Sequence, residues 1–291
     1  HDGNTLFENY ITDINGIWKN IVVVAAGNEG DSRHHVRTDV SSNINRTEFA
    51  IGDNEKNIRL FIWKYFQDEF EIYLNTPSGK RINISNDVTV SSQRENIESV
   101  LAMPTPYTSK QLVEVSIRPG NSLDYVISGI WSIEFAVTGT IKCGIVDMWL
   151  PTIEAIGLST GFLRPSPDTT VTIPATARKV LSVGAFNQDA GSMAPFSGRG
   201  YTADGRLVPL IVAYGVDVTA AGYGGGYVRK TGTSFAAPKI SGYAACIMEW
   251  GIVRRNDENM YGEKLIAYMT RYAVGIEGEE MPGIRQGWGL I

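Results

Sequence analysis

The chain has 291 residues, of which 43% are hydrophobic and 20% are charged, and its formal net charge at pH 7 is −5. This length and composition suffice to bury one large or two moderate hydrophobic cores. The mild acidity and the absence of a basic cluster argue against nucleic acid as a partner, and no apolar run approaches the ~20 residues that a membrane-spanning helix requires.

The first thirty residues predict a helix followed by a buried strand. Thr5 and Glu8 have the spacing of a capping box, which starts a helix. The apolar residues of this helix lie on one face: Leu6, Tyr10, Ile14, Ile17 and Trp18. Residues 21–26 form a β-branched run that ends in small residues, which is typical of a strand buried on both faces of a parallel sheet.

Asn28 follows this strand, between Gly27 and Gly30. Small residues at the carboxyl end of a strand allow close approach, and catalytic groups of open α/β sheets collect at that end. The Asn28 amide could therefore donate a hydrogen bond to an oxyanion. The alternative is an ordinary Asn-containing turn after a strand.

The period of the apolar residues changes to two between residues 32 and 150. Runs at 70–74, 113–117 and 133–137 alternate in this way, and turn signals such as Pro77-Ser78-Gly79 separate them. Long helical patterns are lacking, so the segment predicts an inserted sandwich of antiparallel strands. We therefore divide the chain into residues 1–31, 32–150 and 151–291, and expect the outer two segments to share one mainly parallel sheet with flanking helices.

Residues 232–238, Gly-Thr-Ser-Phe-Ala-Ala-Pro, predict a turn that leads into a buried central helix, with Pro238 in its first turn. Ser234 then lies at the positive end of the helix dipole, which suits a nucleophile; the alternative is a plain N-cap serine. Helices are expected near residues 235–252 and 261–273. Cys246 is predicted to be a small core residue of the first of them, and two cysteines are too few for a disulfide framework.

The Asn28 and Ser234 motifs, in this order, resemble those of the subtilisin-like serine peptidases (subtilases). Further likeness lies in residues 174–185, in Phe196-Ser197-Gly198-Arg199-Gly200 and in residues 287–291. Residues 212–216, Val-Ala-Tyr-Gly-Val, depart from the usual Ala-Pro-Gly at Tyr214. The resemblance implies that Ser234 is the nucleophile, that Asn28 belongs to the oxyanion hole, and that Ala25, Ala26 and Gly27 line the substrate pocket.

The resemblance also implies that the catalytic aspartate and histidine precede residue 1, because a subtilase orders its triad Asp, His, Ser, with the asparagine after the histidine. The chain is thus expected to be the carboxyl-terminal part of a subtilase and inactive alone, with the preceding segment as a partner. Its histidines are His1, His34 and His35. None has the family's setting, and we expect His34 and His35 in a solvated loop. Lys239 is rejected as a base for Ser234, because on a helix it points well away.

The inserted sandwich is similar to the jelly-roll domain of the Csp-type subtilases of spore-forming bacteria. Residues 28–31, 129–131, 147–151 and 162–172 carry this likeness. It implies a serine endopeptidase that acts on proteins or peptides, or alternatively a catalytically dead scaffold with a role in spore germination. It favours a secreted or envelope location. No cofactor is expected; many subtilases hold structural calcium, but no cluster of oxygen ligands in this sequence is patterned enough to name a site.

Overall fold

The computed structural model describes residues 2–41, 46–104 and 108–291 and divides the chain into two compact units. The α/β unit combines His1–Asp31 with Asp168–Ile291, and the β unit is Ser32–Pro167. The first segment of the α/β unit contains helix α1 (Leu6–Asn15) and strand β1 (Val23–Ala25). Among the described residues, no helix is long and apolar enough to cross a membrane.

The described part of the β unit consists of strands and loops. Its strands are β2 (His35–Asp39), β3 (Arg46–Ile51), β4 (Ile58–Tyr65), β5 (Phe70–Asn75), β6 (Arg81–Asn83), β7 (Val88–Ser91), β8 (Glu95–Ala102), β9 (Lys110–Pro119), β10 (Gly129–Val137), β11 (Ile145–Trp149) and β12 (Gly161–Phe162). They form a five-stranded sheet, β12-β3-β10-β5-β6, and a six-stranded sheet, β2-β11-β4-β9-β8-β7, and neighbouring strands in each are antiparallel.

The two sheets of the β unit share one hydrophobic core. Alternate residues of each strand point inward, such as Ile72 and Leu74 of β5 and Val113 and Val115 of β9. This burial pattern explains the period of two in the sequence, because successive side chains of a strand face opposite sides of the sheet. The predicted antiparallel sandwich is therefore confirmed.

The second boundary of the β unit lies after Pro167, not at residue 150 as the sequence suggested. Gly161 and Phe162 form β12, which pairs with Ala50 and Phe49 of β3. Phe162 is fully buried in the core of the β unit. Residues 151–167 therefore pack with the β strands.

The second segment of the α/β unit supplies most of its sheet and helices. Its elements are β13 (Leu181–Asn187), β14 (Ser192–Met193), β15 (Ile211–Tyr214), β16 (Val218–Ala221), β17 (Tyr227–Lys230), α2 (Thr233–Met248), a π-helical turn (Glu249–Val253) and α3 (Gly262–Tyr272). Strand β13 pairs in parallel with β1 on one side and with β15 on the other. The predicted parallel sheet, shared by both segments, is confirmed.

Helix α2 packs one stripe of small and aliphatic residues on this sheet: Ala236, Ala237, Ile240 and Ala244 are buried with Leu181 and Ile211. The opposite side is open, with Tyr243 53% exposed and Trp250, in the π-helical turn that follows, 44% exposed. Cys246 is exposed as well. The prediction of a buried central helix, with Cys246 in its core, is therefore wrong for the described structure.

Pro238 also lies deeper in α2 than predicted, since the helix begins at Thr233. An N–H group at position 238 would bond to the carbonyl group of Ser234, and proline cannot supply that bond. The ring of Pro238 is exposed, so it does not disturb the buried stripe. The first turn of α2 is thus held by other contacts, which lie at the candidate site.

Helix α1 has the predicted capping box, but its polar residues are buried and its apolar residues are exposed. The Thr5 side chain accepts a hydrogen bond from the Glu8 N–H group, and the Glu8 carboxylate accepts one from the Thr5 N–H group. Its buried residues are Glu8 and Asn15. The apolar face is exposed: Leu6 90%, Phe7 56%, Tyr10 64% and, just beyond the helix, Trp18 70%.

Candidate active site

The N-terminus of α2 and the carboxyl end of β1 meet at Asn28 and Thr233. The Thr233 N–H group donates to Asn28 Oδ1 at 3.0 Å, and the Thr233 hydroxyl group contacts the same oxygen at 3.0 Å. The structure thus brings the Asn28 side chain to the residue directly before Ser234. The backbone φ of Gly232, directly before Thr233, is +151°, a conformation that favours glycine.

Ser234 is the second residue of α2 and is exposed. Its N–H group is one of the donors that a helix N-terminus leaves unpaired, and it makes no hydrogen bond with the described residues. Its hydroxyl group likewise has no hydrogen-bond partner in the described part of the chain. An exposed serine hydroxyl group, an unpaired N–H donor and the Asn28 amide therefore lie together at the positive end of one helix.

Gly27 joins β1 to this site through both of its backbone polar groups. Its N–H group donates to Thr233 Oγ1 at 3.1 Å, and its carbonyl group accepts from the Gly198 N–H group at 2.9 Å. The backbone φ of Gly27 is +94°, and a Cβ there would lie 2.3 Å from Thr172 Oγ1. Position 27 therefore requires glycine for conformation and for space. Ala26, its neighbour, is fully buried, and Ala25 is half-buried.

We expect Gly27→Ala to lower the free energy of unfolding of the α/β unit by about 2–4 kcal/mol, since it combines left-handed strain with the contact against Thr172. Gly191→Ala is the matched control: its φ is +62°, but nothing lies within 4 Å of the added methyl group. It should cost only about 1 kcal/mol. Hydrogen exchange at the β1 and β13 amides measures both variants, and equal losses would contradict the argument.

The described residues place no histidine beside Ser234. His34 and His35 belong to the β unit and are 4% and 2% exposed, so the prediction of a solvated loop is wrong; His1 lies outside the described residues. Lys239 Nζ lies 5.4 Å from the ring centroid of Tyr214, at the end of β15. The described residues of the α/β unit therefore include no histidine that could take the Ser234 proton.

His35 instead takes part in a buried charge cluster of the β unit, which the sequence did not reveal. Its Nε2 lies 3.2 Å from Asp147 Oδ1, and its ring stacks on Trp149 at 4.7 Å. Arg37 Nε donates to the same carboxylate oxygen at 2.7 Å, and Lys110 Nζ lies 3.5 Å from the other oxygen. Asp147 is 1% exposed, so this carboxylate is neutralised inside the sandwich.

We searched the described part of the chain for clusters of metal-binding side chains. No group of three or more histidine, cysteine, aspartate or glutamate side chains there could hold a metal ion.

The other residue that sequence reasoning did not assign is Thr233. Only its position, directly before the candidate nucleophile, hinted at a role.

Residues 159–289 match the model of the Subtilase family, Peptidase S8. The chain is similar to the structure of the Clostridium perfringens CspB protease, with a TM-score of 0.90 and 34% identity, over 100% of this chain and 61% of that one. The C5a peptidase of Streptococcus pyogenes is 33% identical over 99 residues, which are 34% of this chain and 8% of that protein. The uncharacterized protein aq_aa18 of Aquifex aeolicus is 34% identical over 102 residues, covering 28% of this chain and 46% of that protein.

The mixed α/β unit, with its parallel strands and the helix that begins at Thr233, is similar to subtilisin-like folds. These comparisons support a subtilisin-like serine peptidase: residues 159–289 match the subtilase family model, and the fold of the chain is similar to that of a subtilase-like protease. The chain spans less than two thirds of the length of each of these relatives.

Proposed function

We propose that this chain is the nucleophile-bearing part of a serine endopeptidase that hydrolyses peptide bonds through an acyl-enzyme. The observation that carries the proposal is the meeting of Asn28 and Ser234 at the N-terminus of α2, although they are far apart in sequence. Ser234 Oγ would attack the scissile carbonyl carbon. A fluorophosphonate, which reacts with activated serine hydroxyl groups, tests this step directly.

The negative charge that develops on the carbonyl oxygen would be held by two donors, the Ser234 N–H group and Asn28 Nδ2. Asn28 Oδ1 already accepts from Thr233, so the amide turns its nitrogen away from that contact. Fixed donors of this kind stabilise the transition state because they need no reorientation during the reaction. Ala25 and Gly27 would form one wall of the pocket for a substrate side chain, whereas Ala26, the third residue of this predicted wall, is fully buried and would support it from behind.

The general base and its orienting carboxylate would come from polypeptide outside these 291 residues. The described groups near Ser234 include no histidine, and an unactivated serine hydroxyl group is a weak nucleophile at neutral pH. Three features suggest that further polypeptide packs on the α/β unit: the exposed apolar face of α1, the open side of α2, and the position of β1 at the edge of the sheet, where it pairs only with β13 among the described strands. For the whole protein we propose protein or peptide substrates and a secreted or envelope location.

We expect no fluorophosphonate labelling of the 291-residue chain, and labelling at Ser234 in a longer product of the same reading frame that carries an aspartate and a histidine motif. Mass spectrometry of the labelled peptide identifies the serine. The Ser234→Ala variant of the longer product is the control for reaction at other hydroxyl groups.

Labelling of the 291-residue chain at Ser234 would contradict the need for an outside base. A longer product that carries both motifs, folds and yet neither labels nor cleaves any peptide would overturn the peptidase proposal. That result would favour the alternative, a catalytically dead scaffold that binds a partner, for example in spore germination.

A further inference from the structure

A cleft with a volume of about 630 Å³ lies at one end of the β unit, where three loops meet. The loops are residues 52–57 between β3 and β4, residues 92–94 between β7 and β8, and residues 120–128 between β9 and β10. Pockets that bind small molecules measure roughly 300–1,000 Å³, so this cleft has the size of a ligand site. We call it the three-loop cleft, and all the residues that line it belong to the β unit.

The loops of the three-loop cleft are tied to one another by hydrogen bonds. The Val126 N–H group donates to the Glu55 carbonyl oxygen at 2.7 Å, which joins the first loop to the third. The Ser122 hydroxyl group donates to the Gln93 carbonyl oxygen at 2.8 Å, which joins the second loop to the third. The cleft is therefore formed without a ligand, and these carbonyl groups are already engaged rather than open to an extended peptide.

The side chains of the cleft, by contrast, have unused hydrogen-bonding capacity. In the part of the β unit that the structure describes, five lining side chains take part in no hydrogen bond or ion pair: Asp53, Asn54, Arg94, Tyr125 and Ser128. They comprise a carboxylate that only accepts, a guanidinium group that only donates, and amide and hydroxyl groups that do both. Exposed polar side chains are common singly, but here five of them line one concave surface.

The charge of the lining favours a neutral ligand. The charged side chains among the described lining residues are Asp53 and Arg94, which have opposite signs. An anion that paired with Arg94 would be repelled by Asp53, and a cation would meet the reverse. Leu123 and Tyr125 add exposed apolar surface. A sugar matches this combination, because its hydroxyl groups both donate and accept and its carbon-bound faces can lie on apolar side chains.

We propose that the three-loop cleft binds a neutral saccharide. Asp53 accepts hydrogen bonds from sugar hydroxyl groups and Arg94 donates to them, while Leu123 and Tyr125 pack against a sugar ring. The β unit would then hold the protein on a glycan. This inference does not depend on the proposed peptidase function, because every residue involved belongs to the β unit and Ser234 belongs to the α/β unit.

The test is two-dimensional NMR of the 291-residue chain, titrated with neutral di- and trisaccharides of glucose, galactose, mannose and N-acetylglucosamine. We expect at least one of these sugars to shift the backbone amides of the three loops, with a Kd of about 0.1–1 mM, because each new hydrogen bond replaces one to water. If none of the sugars shifts these amides at about 10 mM, the proposal is wrong.

Variants with matched controls locate the bound sugar. Asp53→Asn and Arg94→Gln should each weaken binding about 10-fold or more, since hydrogen bonds to charged groups are the stronger ones. Asp124→Asn is the first control: Asp124 is exposed in the third loop but does not line the cleft. Arg118→Gln is the second, because Arg118 is exposed on β9 and pairs with Glu98. Both controls should bind like the parent protein, and thermal unfolding checks that all four variants fold.

Two further probes separate a saccharide from other ligands: a sulfated disaccharide and N-acetyl-trialanine amide. Binding of the sulfated sugar alone, lost in Arg94→Gln but kept in Asp53→Asn, would make the cleft an anion site and overturn the proposal. Shifts caused by the peptide and by none of the neutral sugars would overturn it as well. Equal losses of affinity in Asp53→Asn and Asp124→Asn would place the sugar outside the three-loop cleft.

Discussion

Replacing Ser234 with alanine is expected to lower kcat of the labelling-competent protein about a millionfold, which is the scale of losing the nucleophile of a subtilisin-type triad. The reason is geometric: Ser234 is the exposed hydroxyl residue at the N-terminus of α2, next to the Asn28 amide. Without its oxygen no acyl-enzyme can form, and only binding and the oxyanion donors remain. The measurement is peptide cleavage under single-turnover conditions, together with fluorophosphonate labelling.

Ser241→Ala is the matched control for this variant. Ser241 belongs to the same helix and is also exposed, but its hydroxyl group donates to the Ala237 carbonyl oxygen at 3.1 Å, away from the helix N-terminus. We expect its kcat to equal that of the parent protein. Cleavage by Ser234→Ala at more than about a thousandth of the parental rate would place the nucleophile elsewhere.

The second large effect concerns stability. Asp147→Asn is expected to lower the free energy of unfolding of the β unit by about 3 kcal/mol, because it removes the charge that His35, Arg37 and Lys110 surround. The loss falls at the lower end for a broken buried ion pair, since Arg37 is 43% exposed and water can solvate it. Hydrogen exchange at the amides of β11 and β4 reports this loss locally.

Glu48→Gln is the control, since the Glu48 carboxylate pairs with Arg46 at 3.1 Å where both side chains are open to solvent. The same chemical change there should alter stability by no more than about 0.5 kcal/mol. If both variants lost equal stability, burial of the Asp147 cluster would not be the cause.

The cluster also gives the β unit a pH dependence with a defined sign. Burial raises the pKa of the Asp147 carboxyl group, but hydrogen bonds from His35 and Arg37 and the charges of Arg37 and Lys110 outweigh burial and hold the pKa well below its usual value. The stabilisation is therefore complete above the ordinary aspartate pKa of about 3.9 and is lost as the pH falls below it. Asp147→Asn should remove this part of the acid sensitivity, which develops as the pH falls from about 5 toward the lowered pKa of the folded state.

Local sequence patterns predicted the elements of this protein well. The capping box of Thr5 and Glu8, the alternating strands of the β unit and the helix that begins near Ser234 were all readable, because each depends on neighbours in the chain. Strand β12 was not, since two residues, Gly161 and Phe162, are too few to show a period. The boundary of the β unit was therefore placed too early.

Contacts between residues far apart in the chain determine the features that local sequence patterns did not predict. The adjacent histidines suggested a loop, yet His35 begins β2 and its polar atoms are satisfied by Asp147 and the Ser166 carbonyl oxygen. The Asn28 and Ser234 motifs named the candidate site residues, and their meeting depends on the pairing of β1 with β13 and the packing of α2 on both. The hydrogen bonds of Thr233 with Gly27 and Asn28 join residues about two hundred positions apart, so no local pattern could show them.

The exposed apolar face and buried polar residues of α1 have a practical consequence for protein engineering. A designer who wished to make the α/β unit more soluble would normally keep the apolar positions of an amphipathic helix and vary the polar ones. In α1 this rule would keep the exposed apolar residues and change the buried polar ones. Leu6, Phe7 and Tyr10 are the sites where lysine or glutamate could be introduced, and Glu8, whose carboxylate accepts from Thr5 and Thr176, is the side chain to leave alone.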